Sequence, residues 1–267
     1  MSEGKPKEKS AKGTASLREL ERYRVRKDLD VFVIPRFAQD VLGFDPAKLQ
    51  HDLERTYPKR GAGDAIVPDM VQWVDGDNRA LRYRGNILKR GKIWLQRSSS
   101  KDGYYRYGYT GWQWNVLPAT TDVAKCKEVE PIADRYDEWT MGLGLCTKAN
   151  HYIVTKYEDG QHNIGFHSDK ARDIEPGSLI TVVKTGGHGR PFAVCLPGHE
   201  QAPFFCEVLA PGTAVVMTLD ANLATKHAVP VVDEECGSSG SIVFRSIATH
   251  VSREQAAKEC RKRARGA

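Results

Sequence analysis

The chain reads as a mainly β domain of the sandwich or jelly-roll kind. Two observations carry this. Beyond residue 150, six short apolar segments follow in quick succession with Gly and Pro between them: His151–Tyr157, Leu179–Thr185, Pro191–Leu196, Phe204–Leu209, Thr213–Leu219 and Ser241–Ile247. No strand–helix–strand alternation, internal repeat, GxGxxG motif or Walker A sequence accompanies them. The Gly186-Gly187-His188-Gly189 run reads as a tight turn.

The preceding elements read in order as follows. Leu17 to Lys27 is charged and suits a short helix, and Asp30 to Pro35 alternates and stops at a proline, as a strand does. Asp45-Pro46 supplies an N-cap and a proline at the first helical position; Leu49, Leu53 and Tyr57 continue at helical spacing until Pro58. Gly61 to Asp64 reads as a loop. Ala80 to Asn115, rich in Arg, Tyr, Trp and Gly, suits a hairpin with a turn at Ser98–Gly103. A helix is expected around Val123–Met141.

With 267 residues and 40% hydrophobic content the chain can bury one sizeable core. Its apolar runs are strand-length, too short for a membrane span. The Lys- and Ser-rich start has no apolar h-region, so it reads as a solvated tail and not a secretory signal. Six cysteines without a CxxC pair argue against a zinc ribbon or disulfide scaffold and favour an intracellular, reducing compartment, cytoplasmic or nuclear. The net charge of +6 is modest, and the end of the chain from Arg253 to Arg265 is basic, which suits either a solubilising face or phosphate contacts. The expected organisation is a basic tail (1–28), an extension with a substrate-recognition lid (29–118), a β core (119–251) and a basic tail (252–267).

His167-Ser168-Asp169 is an HxD triplet after a predicted strand and turn, and His227 follows the strand GTAVVMTL. Two histidines and one carboxylate from neighbouring strands fill one face of Fe(II) and leave the other open. The same residues suit a satisfied loop histidine and a core histidine. His51, His188, His199 and His250 lie on a helix, in turns or at a strand exit, where structural roles fit better. Arg245, inside an apolar strand, can grip a carboxylate bidentately or snorkel to solvent. Lys184 shares the parity of Val182 on its strand and can point inward. The aromatic-basic stretch, with Tyr104, Tyr105, Tyr107, Tyr109, Trp112 and Trp114 among Arg97, Lys101 and Arg106, suits stacking of a flipped base or a hairpin packed on the core.

The runs NHYIVTKYEDGQHNIGFHSDKARDIEPGSLITVVKTGGHGRPFAV, LAPGTAVVMTLDANLATKHAVP and SGSIVFRSI together resemble the AlkB-like Fe(II)/2-oxoglutarate dioxygenases. The likeness extends from Arg82 to Ile247, with NILKRGKIWLQ and YGYTGW in the place of that family's nucleotide-recognition lid. It implies a double-stranded β-helix (jelly roll) with an N-terminal α/β extension. It implies Fe(II) held by His167, Asp169 and His227, with 2-oxoglutarate and O2 as cosubstrates and ascorbate as a reductant. Tyr157 matches the tyrosine that hydrogen-bonds 2-oxoglutarate, and Arg245 the second arginine of the RxxxxxR strand. The implied reaction is hydroxylation of a methyl group on a modified base, with DNA or RNA as partner and Arg97, Tyr105, Tyr107, Tyr109 and Trp112 as substrate-binding residues.

Three positions depart from the pattern. Thr155 replaces an asparagine, Ser239 the first arginine of RxxxxxR, and Ala171 an acidic residue used to read alkylated bases. The missing arginine leaves Lys184 to share the two carboxylates of 2-oxoglutarate with Arg245, as a lysine does in JmjC-type oxygenases. Ala171 leaves room for a TET/JBP-like oxidation of a 5-methylpyrimidine. A protein or small-molecule hydroxylase on the same fold is the further alternative.

Overall fold

The computed structural model describes residues 16–56, 82–83, 86–87, 90–97, 103–105, 107, 121–232, 236–252, 254–255 and 258. The N-terminal tail to residue 15, the loop at 61–64, residues 98–102 of the expected turn, Arg106, Tyr109, Trp112, Trp114 and the last nine residues lie outside them. Among the described residues no helix is long and apolar enough to cross a membrane.

The strands in chain order are β1 (Arg24–Arg26), β2 (Leu29–Ile34), β3 (Arg82–Tyr83), β4 (Asn86–Ile87), β5 (Gly91–Gln96), β6 (Tyr104–Tyr105), β7 (Thr121–Asp122), β8 (His151–Tyr157), β9 (Ile164–His167), β10 (Leu179–Gly186), β11 (Arg190–Cys195), β12 (Phe205–Leu209), β13 (Ala214–Thr218), β14 (Lys226–Val229), β15 (Ser239–Arg245) and β16 (His250–Val251). The α-helices are α1 (Phe37–Asp40), α2 (Pro46–Thr56), α3 (Glu130–Gly142) and α4 (Leu219–Ala224). The chain is mainly β. An eight-stranded sheet runs β1-β2-β13-β10-β15-β8-β5-β7 and a four-stranded sheet runs β12-β11-β14-β9. Both are antiparallel apart from the β5–β7 edge, an arrangement compatible with a β-sandwich.

The two faces of the large sheet follow from strand alternation. On the outer face Ile93, Leu95, Tyr152, Val154, Val183, Val216, Ile242 and Phe244 pack with Leu49 and Leu53 of α2 and with Ile132, Ala133 and Tyr136 of α3. Tyr136 stacks on Phe244 at 4.3 Å between ring centroids and shares a 2.8 Å hydrogen bond with Thr181. Asp45 caps α2 as expected, its carboxylate accepting from the Ala47 and Lys48 amides at 2.8 and 3.0 Å. On the inner face Ile153, Val182, Val215 and Val243 pack with Phe192, Val194, Phe205, Leu209 and Val229 of the small-sheet side.

Several expectations are corrected. Leu17–Lys27 is not one helix: a 3-10 helix spans Ser16–Tyr23, and β1 follows because Arg24 pairs with Asp30 across the turn. The helix expected over Val123–Met141 is a short 3-10 turn, Val123–Lys125, followed by α3. β5 falls within the segment assigned to a lid, yet it lies in the large sheet beside β8. Gly186 has φ +89, and a Cβ there would lie 2.7 Å from Ser239 Cα, so the turn after β10 needs glycine.

Candidate metal centre

The metal-ligand candidates come from two adjacent strands of the small sheet. His167 ends β9 and pairs directly with His227 on β14, their ring centroids 4.4 Å apart. Asp169 follows two residues later. One ligand atom from each of the three lies within 4.8 Å of the others. The chain between them is held at several points. The Ser168 hydroxyl donates to Thr225 O at 2.6 Å. The Asp169 amide donates to Asn222 Oδ1 at 2.8 Å, and Asn222 Nδ2 donates back to Asp169 O at 3.0 Å. Asn222 sits in α4, whose N-cap Thr218 accepts from the Ala221 amide. Arg190, fully buried, donates to the carbonyls of Asp159, Gly160 and His162, and so shapes the loop that leads into β9.

The electrostatics suit a cation. Burial and the neighbouring His227 push His167 down to about 3, and burial lowers His227 as well, so both imidazoles are neutral and can ligate. His167 Nδ1 lies 2.9 Å from Gly165 O, which fixes its proton there and turns Nε2 toward the site. Burial raises the Asp169 carboxyl, but Arg245 outweighs it, helped by the two histidines, and holds it well below the usual carboxylate range. Phe192 lies parallel to His227 at 5.8 Å and fixes its plane.

Arg245 grips a carboxylate bidentately, one of the two readings its strand position allowed, and that carboxylate is Asp169. Its Nε and Nη2 donate to the two Asp169 oxygens at 2.8 Å each, a buried bidentate pair. It thus clamps a metal-ligand candidate through two of its three guanidinium nitrogens. Tyr107 joins the same group: its hydroxyl donates to Asp169 Oδ1 at 3.2 Å and accepts from the Lys170 amide at 2.8 Å, with Arg245 over its ring at 4.7 Å. A residue expected to stack on substrate therefore supports the acid.

Lys184 does point inward. It is 1% exposed, its ammonium has no hydrogen-bond partner, and it lies 5.4 Å from the Tyr157 ring. Burial, with Arg190 nearby, lowers it to about 7. Tyr157 is buried and bonded to Ser241, and the Ser239 hydroxyl is buried without a partner. Of the remaining substrate candidates, Tyr105 is half-buried against His250. Arg97 is not brought to the site, since it pairs with Asp134 and Asp137 of α3 on the outer face.

No protein-family model and no curated protein matches the chain.

Three residues of the site escape a sequence reading. Lys92 is buried on β5 at the parity of Trp94 and Gln96, opposite to the outer-facing Ile93 and Leu95. That alternation was the one signal able to reveal it. His151 is fully buried beside Arg245 on β8, with neither ring nitrogen hydrogen-bonded and its ring 5.3 Å from Tyr107. Asn222, in the short segment LDANLA, carries no signal.

Proposed function

We propose that this chain is an Fe(II)/2-oxoglutarate-dependent dioxygenase of the AlkB-like kind. The observation that carries the reading is the His167–Asp169–His227 group, half-buried at His167 and buried at the other two, whose ligand atoms converge from paired strands. Two neutral imidazoles and one carboxylate match the facial triad that leaves coordination positions open. Strand order supports a double-stranded β-helix. Counting β8 to β15 as strands one to eight, the large sheet contains the order 6-3-8-1 and the small sheet 5-4-7-2. That pattern arises when a long antiparallel ribbon winds on itself.

When bound, the iron would supply the oxidation, using O2 and a 2-oxo acid, with ascorbate as a reductant. The chain's own residues do the rest. Arg245 and Tyr107 keep Asp169 ionised and oriented, and Gly165 sets the His167 tautomer. Apolar residues from both sheets exclude water from the interior. At the far end, Tyr157, Lys184 and the Ser239 hydroxyl surround the place for the distal carboxylate of 2-oxoglutarate. Lys184 is the cation that Ser239 does not provide.

The proposed substrate is a methyl group on a modified base in DNA or RNA, with oxidation of a 5-methylpyrimidine as one form of the reaction. Tyr105, on the two-stranded sheet of β6 and β16, is the described residue available to a base. A second reading, hydroxylation of a protein or small molecule, gains from the engagement of Arg97 by Asp134 and Asp137, which removes one basic contact for phosphate. The test is succinate release by iron-loaded protein, with nucleoside mass spectrometry of methylated and unmodified oligonucleotides. Succinate formed without any base change favours the second reading. No oxo-acid turnover overturns the assignment.

A further inference from the structure

Strand register sets three polar residues in one row at the metal end of the large sheet. Gln96 on β5 pairs with His151 on β8, and His151 with Arg245 on β15. His151 has the inward parity of Ile153, while Tyr152 and Val154 face outward. It is fully buried, and neither ring nitrogen has a hydrogen-bond partner. Its ring stands 5.3 Å from that of Tyr107, whose hydroxyl donates to Asp169 Oδ1. His151 thus flanks both residues that bond the acid of the metal centre, Arg245 and Tyr107.

A histidine inside a protein ordinarily bonds through at least one nitrogen, because a buried polar group without a partner costs stability. The side chains beside His151 are engaged elsewhere. Gln96 Oε1 accepts from the Tyr105 amide at 2.9 Å, and its Nε2 donates to Gly103 O at 3.4 Å. The Tyr107 hydroxyl is shared between Asp169 and the Lys170 amide. Gln96 thereby ties β6 to the edge of the row, and brings half-buried Tyr105 to the same end of the sheet.

Charge narrows what can bind there. Burial, with Arg245 and Lys92 as like charges, holds His151 well below its ordinary value. Its imidazole is therefore neutral, with one N–H donor and one bare nitrogen acceptor. Among the described residues Asp169 is the one carboxylate that acts on it, and both Asp169 oxygens are bonded to Arg245. A base that presents N–H and C=O groups finds a partner in such an imidazole. A cationic base finds no uncommitted counter-charge among the described residues, and an unpaired buried charge is costly.

We propose that His151 is a substrate-binding residue that hydrogen-bonds the polar edge of the target base, so that the site prefers an uncharged methylated base to a cationic one. This rests on the nucleic-acid reading above and adds to it a residue and a charge class.

The test is fluorescence anisotropy of oligonucleotides with the Mn(II)-loaded full chain, using two pairs of isomeric bases. Each pair sets an uncharged base against one that is cationic at neutral pH: 5-methylcytosine against N3-methylcytosine, and N6-methyladenine against N1-methyladenine. Wild type is expected to bind the uncharged isomer roughly tenfold more tightly in at least one pair. In that pair His151→Leu should lose roughly two- to tenfold for the uncharged isomer and nothing for the cationic one, with Mn(II) affinity unchanged. His151→Gln, which keeps a donor and an acceptor, should retain part of the preference. Without ligand, His151→Leu should unfold at the same or a higher temperature than wild type, since it removes a buried polar group that has no partner. A cationic isomer bound as tightly as its partner in both pairs, equal losses of both isomers in His151→Leu, no loss at all, or an unloaded chain destabilised by that change would overturn the role of His151 alone. A wild-type chain that binds none of the oligonucleotides overturns the nucleic-acid reading and this inference with it.

Discussion

The two ends of the sandwich interior differ in how their polar groups are satisfied. At the metal end the Asp169 carboxylate is bonded to Arg245 and Tyr107, and its peptide group to Asn222. At the far end the Lys184 ammonium and the Ser239 hydroxyl are buried with no partner. At the first end the protein satisfies the acid, as in a preorganised ligand set held so that a metal finds its ligands in place, although the neighbouring His151 ring makes no hydrogen bond. The second is unfinished, and its groups gain their bonds when a ligand arrives. The difference separates an acid whose partners the fold itself supplies from groups that still await one.

Breaking the finished end has the largest effect. Asp169→Ala leaves Arg245 buried without its counter-charge and is expected to lower stability by about 3–5 kcal/mol in urea unfolding. His167→Ala and His227→Ala remove no charge partner and should leave the unfolding midpoint near that of wild type. Equal losses in all three would show that the ion pair contributes nothing special.

The unfinished end should reveal itself through pH. In the unfolded chain Lys184 keeps its proton to its ordinary value of 10.5, whereas folding lowers it to about 7. Between those values the unfolded chain holds the extra proton, so stability rises with pH. The Lys184 share of the rise should be roughly 2 kcal/mol between pH 7 and about pH 9, and Lys184→Met should remove that share. For the same reason 2-oxoglutarate binding should take up a proton near pH 8, read by calorimetry in buffers of different ionisation enthalpy. A flat stability profile in wild type would contradict the isolation of this lysine. The smallest effect is that of Tyr107→Phe, about 1 kcal/mol for one hydrogen bond to Asp169, with the metal site retained.

The contrast also explains what could be read in advance. β8, β10 and β15 were legible because β-branched residues alternate or run continuously in them. The strands that carry the histidines, β9 (IGFH) and β14 (KHAV), were not foreseen as strands. They are four residues long, and polar side chains occupy positions that apolar ones fill elsewhere. Chemistry and strand signal compete there for the same few residues. The HxD spacing pointed to the three ligand candidates, and period-two parity turned Lys184 inward. The partner of Arg245 was not legible, because Asp169 lies 76 residues away in sequence and only the fold brings the two together. Arg190, which directly follows the glycine run 186–189 and carries no sequence signal of its own, is wholly buried and ties down the approach to β9.

The central claim is that His167, Asp169 and His227 hold one metal ion at a site the fold has already assembled. Mn(II) titration followed by electron paramagnetic resonance tests it most directly. One ion per chain is expected in wild type, with affinity falling more than about a hundredfold in His167→Ala and in His227→Ala, beyond the loss typical of an outer-shell partner. Binding of one Mn(II) per chain with undiminished affinity in either variant would contradict the account.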